Sequence, residues 1–129
     1  MLNQSGITSV TGTTTKNILV APELAFSLPC MVANTGVVAD ADSKKVVKAG
    51  TPLVGDITVR GTAFTAGTAA TASGIAGLLL HDLDVTSGTK NAQILVFGFV
   101  DETKLDAAVQ TIVDTAAVKT QLAKITFVK

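Results

Sequence analysis

His81 stands in LLLHDLDV with Asp82 and Asp84 beside it, an imidazole and two carboxylates within four residues, and a metal or proton-transfer site would need these groups to converge. It is the only histidine, so a two-histidine site cannot form within one chain. In extended backbone His81 and Asp82 point to opposite faces, while Asp82 and Asp84 share one. The segment therefore reads as a polar turn at a strand end. Cys30 is the only cysteine and lies between Pro29 and Met31, which rules out an internal disulfide or a CxxC pair and reads as a small buried hydrophobe. General acid and base work needs carboxylates in separated environments inside a cleft. Here Asp40, Asp42, Asp56, Asp101, Glu102, Asp106 and Asp114 fall at expected turns or on the polar face of an expected helix, with Glu23 the exception, so they read as solvated surface charge. GTAFTAG and GTAATASG contain no GxxxxGK[ST], and no GxGxxG follows a strand, so nucleotide phosphates have no cradle. The sequence assigns no catalytic, cofactor-binding or metal residue, and the expectation is a protein that is not an enzyme and carries no cofactor.

The elements that would position any site are those of one domain. A chain of 129 residues can bury roughly 65 to 70 % of its unfolded surface, enough for a core without disulfides or metals. Thr, Ala, Val and Gly make up about half of it, while Trp and Tyr are absent. Branched Cβ atoms pack well on a pleated surface, so many short strands are expected. The missing Trp and Tyr remove the usual stacking platforms for bases. Ten basic and ten acidic residues give zero net charge, which disfavours nucleic acid and membrane surfaces as partners. Few charges and an apolar fraction of 47 % also remove the self-repulsion that keeps small monomers apart. The start of the chain has no basic, apolar leader and no stretch approaches a membrane span, so a soluble product made in a cytoplasm is expected.

Residues 1–16 are polar and Thr-rich, with one charge at Lys16, and cannot bury enough apolar surface to offset their ordering entropy. They are expected to form either a frayed terminus or a flexible arm able to add a strand to another protein's sheet edge, Ile7 and Val10 being its isolated apolar residues with Thr8 and Thr11 beside them. Asn17 to Val38 is expected as short extended pieces broken at Pro22 and Pro29. Asn34 to Gly36 reads as a turn, and Asp40 to Lys45 as an exposed loop tip. Strands are expected at 45–48, 53–59, 75–80, 92–100 and 125–128, with a loop over 61–74. The main helix is expected near 103–115. Leu105, Ala108, Val109, Ile112, Val113 and Ala116 form its apolar face and Thr103 with Asp106 its capping box, and a short helical turn follows at 117–122. The fold class expected is α+β, β-rich: a small single domain of short strands over 17–129 with one main C-terminal helix.

Two resemblances attach to these elements. VKAGTPLV is similar to segments of lipoyl and biotinyl carrier domains, but their MKM or DKA hairpin is missing, which leaves Lys44 and Lys45 as loop lysines. The second covers about residues 44–129. Ala49-Gly50-Thr51-Pro52-Leu53, then Asp56, then Gly74-Ile75-Ala76-Gly77-Leu78-Leu79, then Val96-Phe97-Gly98-Phe99 and finally Ile125-Thr126-Phe127-Val128 follow in an order and spacing that resembles the lambda-like head-decoration family of bacteriophages. The resemblance implies a structural capsid protein that sits as a homotrimer on the outer surface of the virion, binds the major capsid protein of a tailed phage and holds the expanded shell against packaged DNA. It also implies that the arm carries the capsid contact, through Ile7, Thr8, Val10, Thr11 and Thr13. A head-fibre or host-surface binding module is the alternative. Asn17 to Val38 is more apolar, and the helix from Leu105 longer, than the family leads one to expect.

Overall fold

Val, Thr and Ile favour pleated backbone, and that preference decides most of the chain. The computed structural model describes residues 17–59 and 61–129. Strands β1 (Phe26–Val32), β3 (Pro52–Val54), β4 (Thr65–Ala66), β5 (Ile75–Leu79) and β7 (Lys90–Asp101) form a sheet in the order β1-β7-β5-β3-β4, every neighbouring pair antiparallel. Four antiparallel steps leave β4 pointing the same way as β1. Phe64, just before β4, makes a parallel bridge to Val32, donating its N–H to the Met31 carbonyl at 2.8 Å and accepting from the Ala33 N–H at 2.9 Å. The sheet thus curls until its two ends touch at this one bridge, as a small, partly open barrel with β1 and β4 as its outer strands. A separate two-stranded antiparallel pair, β2 (Val46–Val47) with β6 (Leu83–Asp84), contributes Val47 and the adjoining Val85 to the same interior.

Consecutive residues of the central strands face opposite ways, which gives the domain two cores. Ile94 and Leu79 join Cys30, Val32, Leu53 and Phe64 inside the barrel. Leu95 and Leu78 face outward and are covered by Ile18, Leu105, Val109, Val113, Val118, Leu122 and Ile125. Burial of each such Leu or Ile is worth about 1.5–3 kcal/mol, so the strands hold both layers at once. Gly77 is fixed by this closeness: a Cβ there would lie 2.4 Å from the Leu95 carbonyl oxygen.

The fold is α+β and β-rich, as the composition led one to expect, and β5 and β7 match the expected strands closely. Other details differ for physical reasons. Pro29 does not break the second extended piece; it sits inside β1, an edge strand. It shares the phase of Met31, whose carbonyl faces Phe64 rather than β7, so the missing N–H costs no bond to β7. The strand expected at 53–59 stops at Val54, because Asp56 turns the chain by accepting from the Thr58 N–H at 2.9 Å. The expected loop 61–74 contains β4 and a 3₁₀ helix, Ala69–Gly74, closed by reciprocal bonds between Thr68 and Thr71. The main helix divides: a 3₁₀ turn at Glu102–Lys104 capped by Asp101, then α1 (Ala107–Val113) with Asp106 at its N-cap position, so the Thr103–Asp106 capping box does not form. Leu105, Val109 and Val113 are buried and Ile112 half-buried, while Ala108 and Ala116 are exposed. α2 (Ala116–Gln121) then leads into β8 (Ile125–Val128), which pairs in parallel with the C-terminal half of β7.

Candidate functional site

β7 changes neighbours halfway along. Its first part lies between β1 and β5, but at Gly98 the backbone adopts φ +149°, a region glycine reaches easily, and from there β8 lies on one side and residues 18–20 on the other. Ile18 is fully buried and its carbonyl accepts from the Asp101 N–H at 2.7 Å; the Val20 N–H donates to the Phe99 carbonyl at 3.0 Å. Asn17 Oδ1 accepts from the Leu19 N–H at 3.0 Å. The root of the N-terminal segment is therefore held on the sheet. Ile7, Thr8, Val10, Thr11 and Thr13, the expected capsid contacts, lie outside the described residues.

Beyond this root, the chain makes a 3₁₀ turn at Pro22–Leu24 and enters β1. Phe26 stands opposite Phe97, and the next pair is Ser27 with Leu95, so Val96 is an extra residue on β7 and the register shifts there. A Cβ on Gly98 would lie 3.3 Å from the Ala25 Cα, which shows how closely the chain passes over the bend. Val20, Leu24, Phe26 and Phe97 are left about half exposed around it.

On the far side of the root lies a group of charges. Glu102 is buried, against the expectation that it is solvated. Its two carboxylate oxygens meet Lys119 Nζ at 3.3 Å and Lys129 Nζ at 3.4 Å, and Asp114 lies 3.6 and 3.8 Å from the same two lysines. Lys119 also stands 4.6 Å from the Phe127 ring centroid, and Gln110 Nε2 donates to the Glu102 and Leu105 carbonyls. These contacts tie α1, α2 and the last residue to the end of β7. Nothing in the local sequence signals this, because the lysines come 17 and 27 residues later.

Several of the other polar groups serve the backbone. Asp82 Oδ1 accepts from the Ala49 N–H at 2.7 Å and so closes the 48–51 turn, while His81 is exposed. Asp56, Asp84 and Asp101 each accept from both the hydroxyl and the N–H of the threonine two residues on. The threonine hydroxyl is the main reason each carboxyl is held below its usual range. Thr86 Oγ1 accepts in addition from the Lys45 N–H at 2.8 Å, which joins the two members of the β2–β6 pair. Burial pushes the Cys30 thiol up, away from reactivity. Among the described residues no three His, Cys, Asp or Glu side chains are grouped to hold a metal ion, and no helix is long and apolar enough to cross a membrane. A cavity of about 390 Å³ opens where Leu28, Ile57, Ala76 and Val96 approach the turn between α2 and β8. No family model matches this chain, and no curated protein matches it.

Proposed function

We propose that the chain is a structural decoration protein of a tailed-phage head, bound as a homotrimer to the outer surface of the expanded shell, with residues 1–16 reaching the major capsid protein. The observation that carries the reading is the order and spacing of the segments from Ala49 to Val128. Within the fold these segments are not scattered: Thr51-Pro52-Leu53 enters β3, Gly74 to Leu79 leads through β5, Val96 to Phe99 is the bend of β7 and Ile125 to Val128 is β8. The anchored root at Ile18 to Val20 supports the same reading, since it gives an N-terminal tether a firm base.

The action needs no bond-making chemistry. A shell repeats one contact many times, and a trimer joined to three shell subunits turns three weak contacts into one avid attachment through effective concentration. Binding the expanded shell better than its precursor stabilises the expanded state by mass action. The protein is made in the host cytoplasm and acts in the virion. Deleting residues 2–14 leaves melting and light-scattering mass unchanged while abolishing co-sedimentation with expanded heads. Full occupancy by the truncated protein would move the contact elsewhere, and a monomeric mass for full-length protein both in solution and on heads would remove the trimer.

A further inference from the structure

We propose that Val20, Leu24, Phe26 and Phe97 are the domain's own share of the shell contact, seated on a neutral, apolar strip of the same capsid protein that takes residues 1–16. The inference rests on the decoration reading and goes beyond it, because it assigns a second contact to the folded domain. Its first support is where the undescribed segment ends. Sixteen residues precede Asn17, and the chain from Ile18 runs directly along β7 into the patch: Val20 bonds to Phe99, Ala25 crosses Gly98, and Phe26 stands opposite Phe97. Asn17, where that segment joins, lies at the Asp101 end of β7, and Val20, three residues on, already borders the patch, so a protein holding residues 1–16 stands within a few residues of it.

The second support is charge. From Leu24 to Ala39 there is no charged residue, and none from Asn91 to Val100; Glu23 in the exposed turn and Lys124, whose carbonyl accepts from the Gly98 N–H, are opposite charges at its border. Such a surface selects an uncharged counterpart, since burying an unpaired charge against it would be costly. Pro29 also withholds an N–H from the outer edge of β1, so a partner is met by side chains and not by an added strand there.

The third support is area, which decides between the shell and a second copy. At half exposure the four side chains leave roughly 300–400 Å² open. A stable pairing of two proteins takes about 800 Å² from each partner. The patch supplies less than half of that, so it fits an adjunct to another contact on the same partner, and residues 1–16 are joined to it without a break.

The test uses full-length protein with Leu24→Ser and Phe97→Ser together, and separately Leu24→Arg, which alters only an exposed 3₁₀ turn and keeps the question open to refutation if the double variant fails to fold. Urea denaturation, light-scattering mass and co-sedimentation with expanded heads are measured on each. The expected result is wild-type mass and near wild-type denaturation with at least tenfold weaker attachment to heads. Undiminished attachment overturns the proposal. A fall in mass also overturns it, because the patch would then join copies of this chain. Failure of the wild-type protein to bind heads removes the decoration reading itself, and this inference with it.

Discussion

Removing both lysines from Glu102 must cost more than the sum of removing each, and the geometry says why. The Glu102 side chain is 6 % exposed, so its charge has almost no water, whereas Lys119 and Lys129 are 39 % and 70 % exposed and can rehydrate when released. Lys129→Met leaves Glu102 paired with Lys119 and removes an interaction that solvent already screens, for about 0.5–1 kcal/mol. Lys119→Met leaves it paired with Lys129 but also removes the contact with the Phe127 ring, for about 1–2 kcal/mol. The double variant strands a buried carboxylate, where the cost of breaking a buried pair, about 3–5 kcal/mol, comes due. The excess over the sum is therefore about 1–2 kcal/mol of coupling. Glu102→Gln keeps the shape and leaves only lysines that reach water, so it destabilises less than the double lysine variant. Urea denaturation at neutral pH, with the slope unchanged, measures all four. Additive lysine variants, or a Glu102→Gln variant less stable than the double lysine variant, would show that Glu102 is solvated and refute the reasoning.

Two further outcomes follow from side-chain placement. Asp84 is held below the usual carboxylate range first by the Thr86 hydroxyl and then by the Thr86 N–H, so this stabilisation is present above the unfolded-state pKa of about 3.9 and is lost as pH falls through the lower folded value; Thr86→Val is accordingly less stable than wild type at pH 6, the gap narrows as pH drops below about 4 to the part owed to the lost Lys45 N–H bond, and a gap undiminished at pH 2 would show that this bond is the whole effect. Val113 is fully buried and Ile112 only partly so, both against the helical cover, hence Val113→Asp lowers stability by several kcal/mol and Ile112→Asp by about 1–2 kcal/mol; equal losses in thermal melting would mean that the helix turns its other side inward.

What was legible in the sequence is what depends on neighbours a few residues apart. Leu105, Val109 and Val113 recur every four residues and are buried, the last two on α1 and Leu105 just ahead of it, and the length and branching of Lys90–Asp101 and Ile75–Leu79 mark β7 and β5. The short Thr65–Ala66 strand and the closing of the sheet were not legible, because the Val32–Phe64 bridge joins residues 32 apart and neither segment signals the other. Pro29 looked like a break since only the sheet order shows that β1 is an edge. Glu102 looked solvated because its lysines are distant in sequence.

The same limit bears on the surface. Phe26 and Phe97 sit in apolar strand sequence, where period alone assigns large aromatics to a core. Both are about half exposed, because the extra residue at Val96 and the bend at Gly98 turn this corner of the sheet away from the helices. A bulge and a bend that leave two phenylalanines in water cost stability that the isolated domain could recover with polar residues at those positions. The arrangement makes physical sense if the water is displaced in the working state, and Val20, where the root from which residues 1–16 depart reaches Phe99, borders this corner.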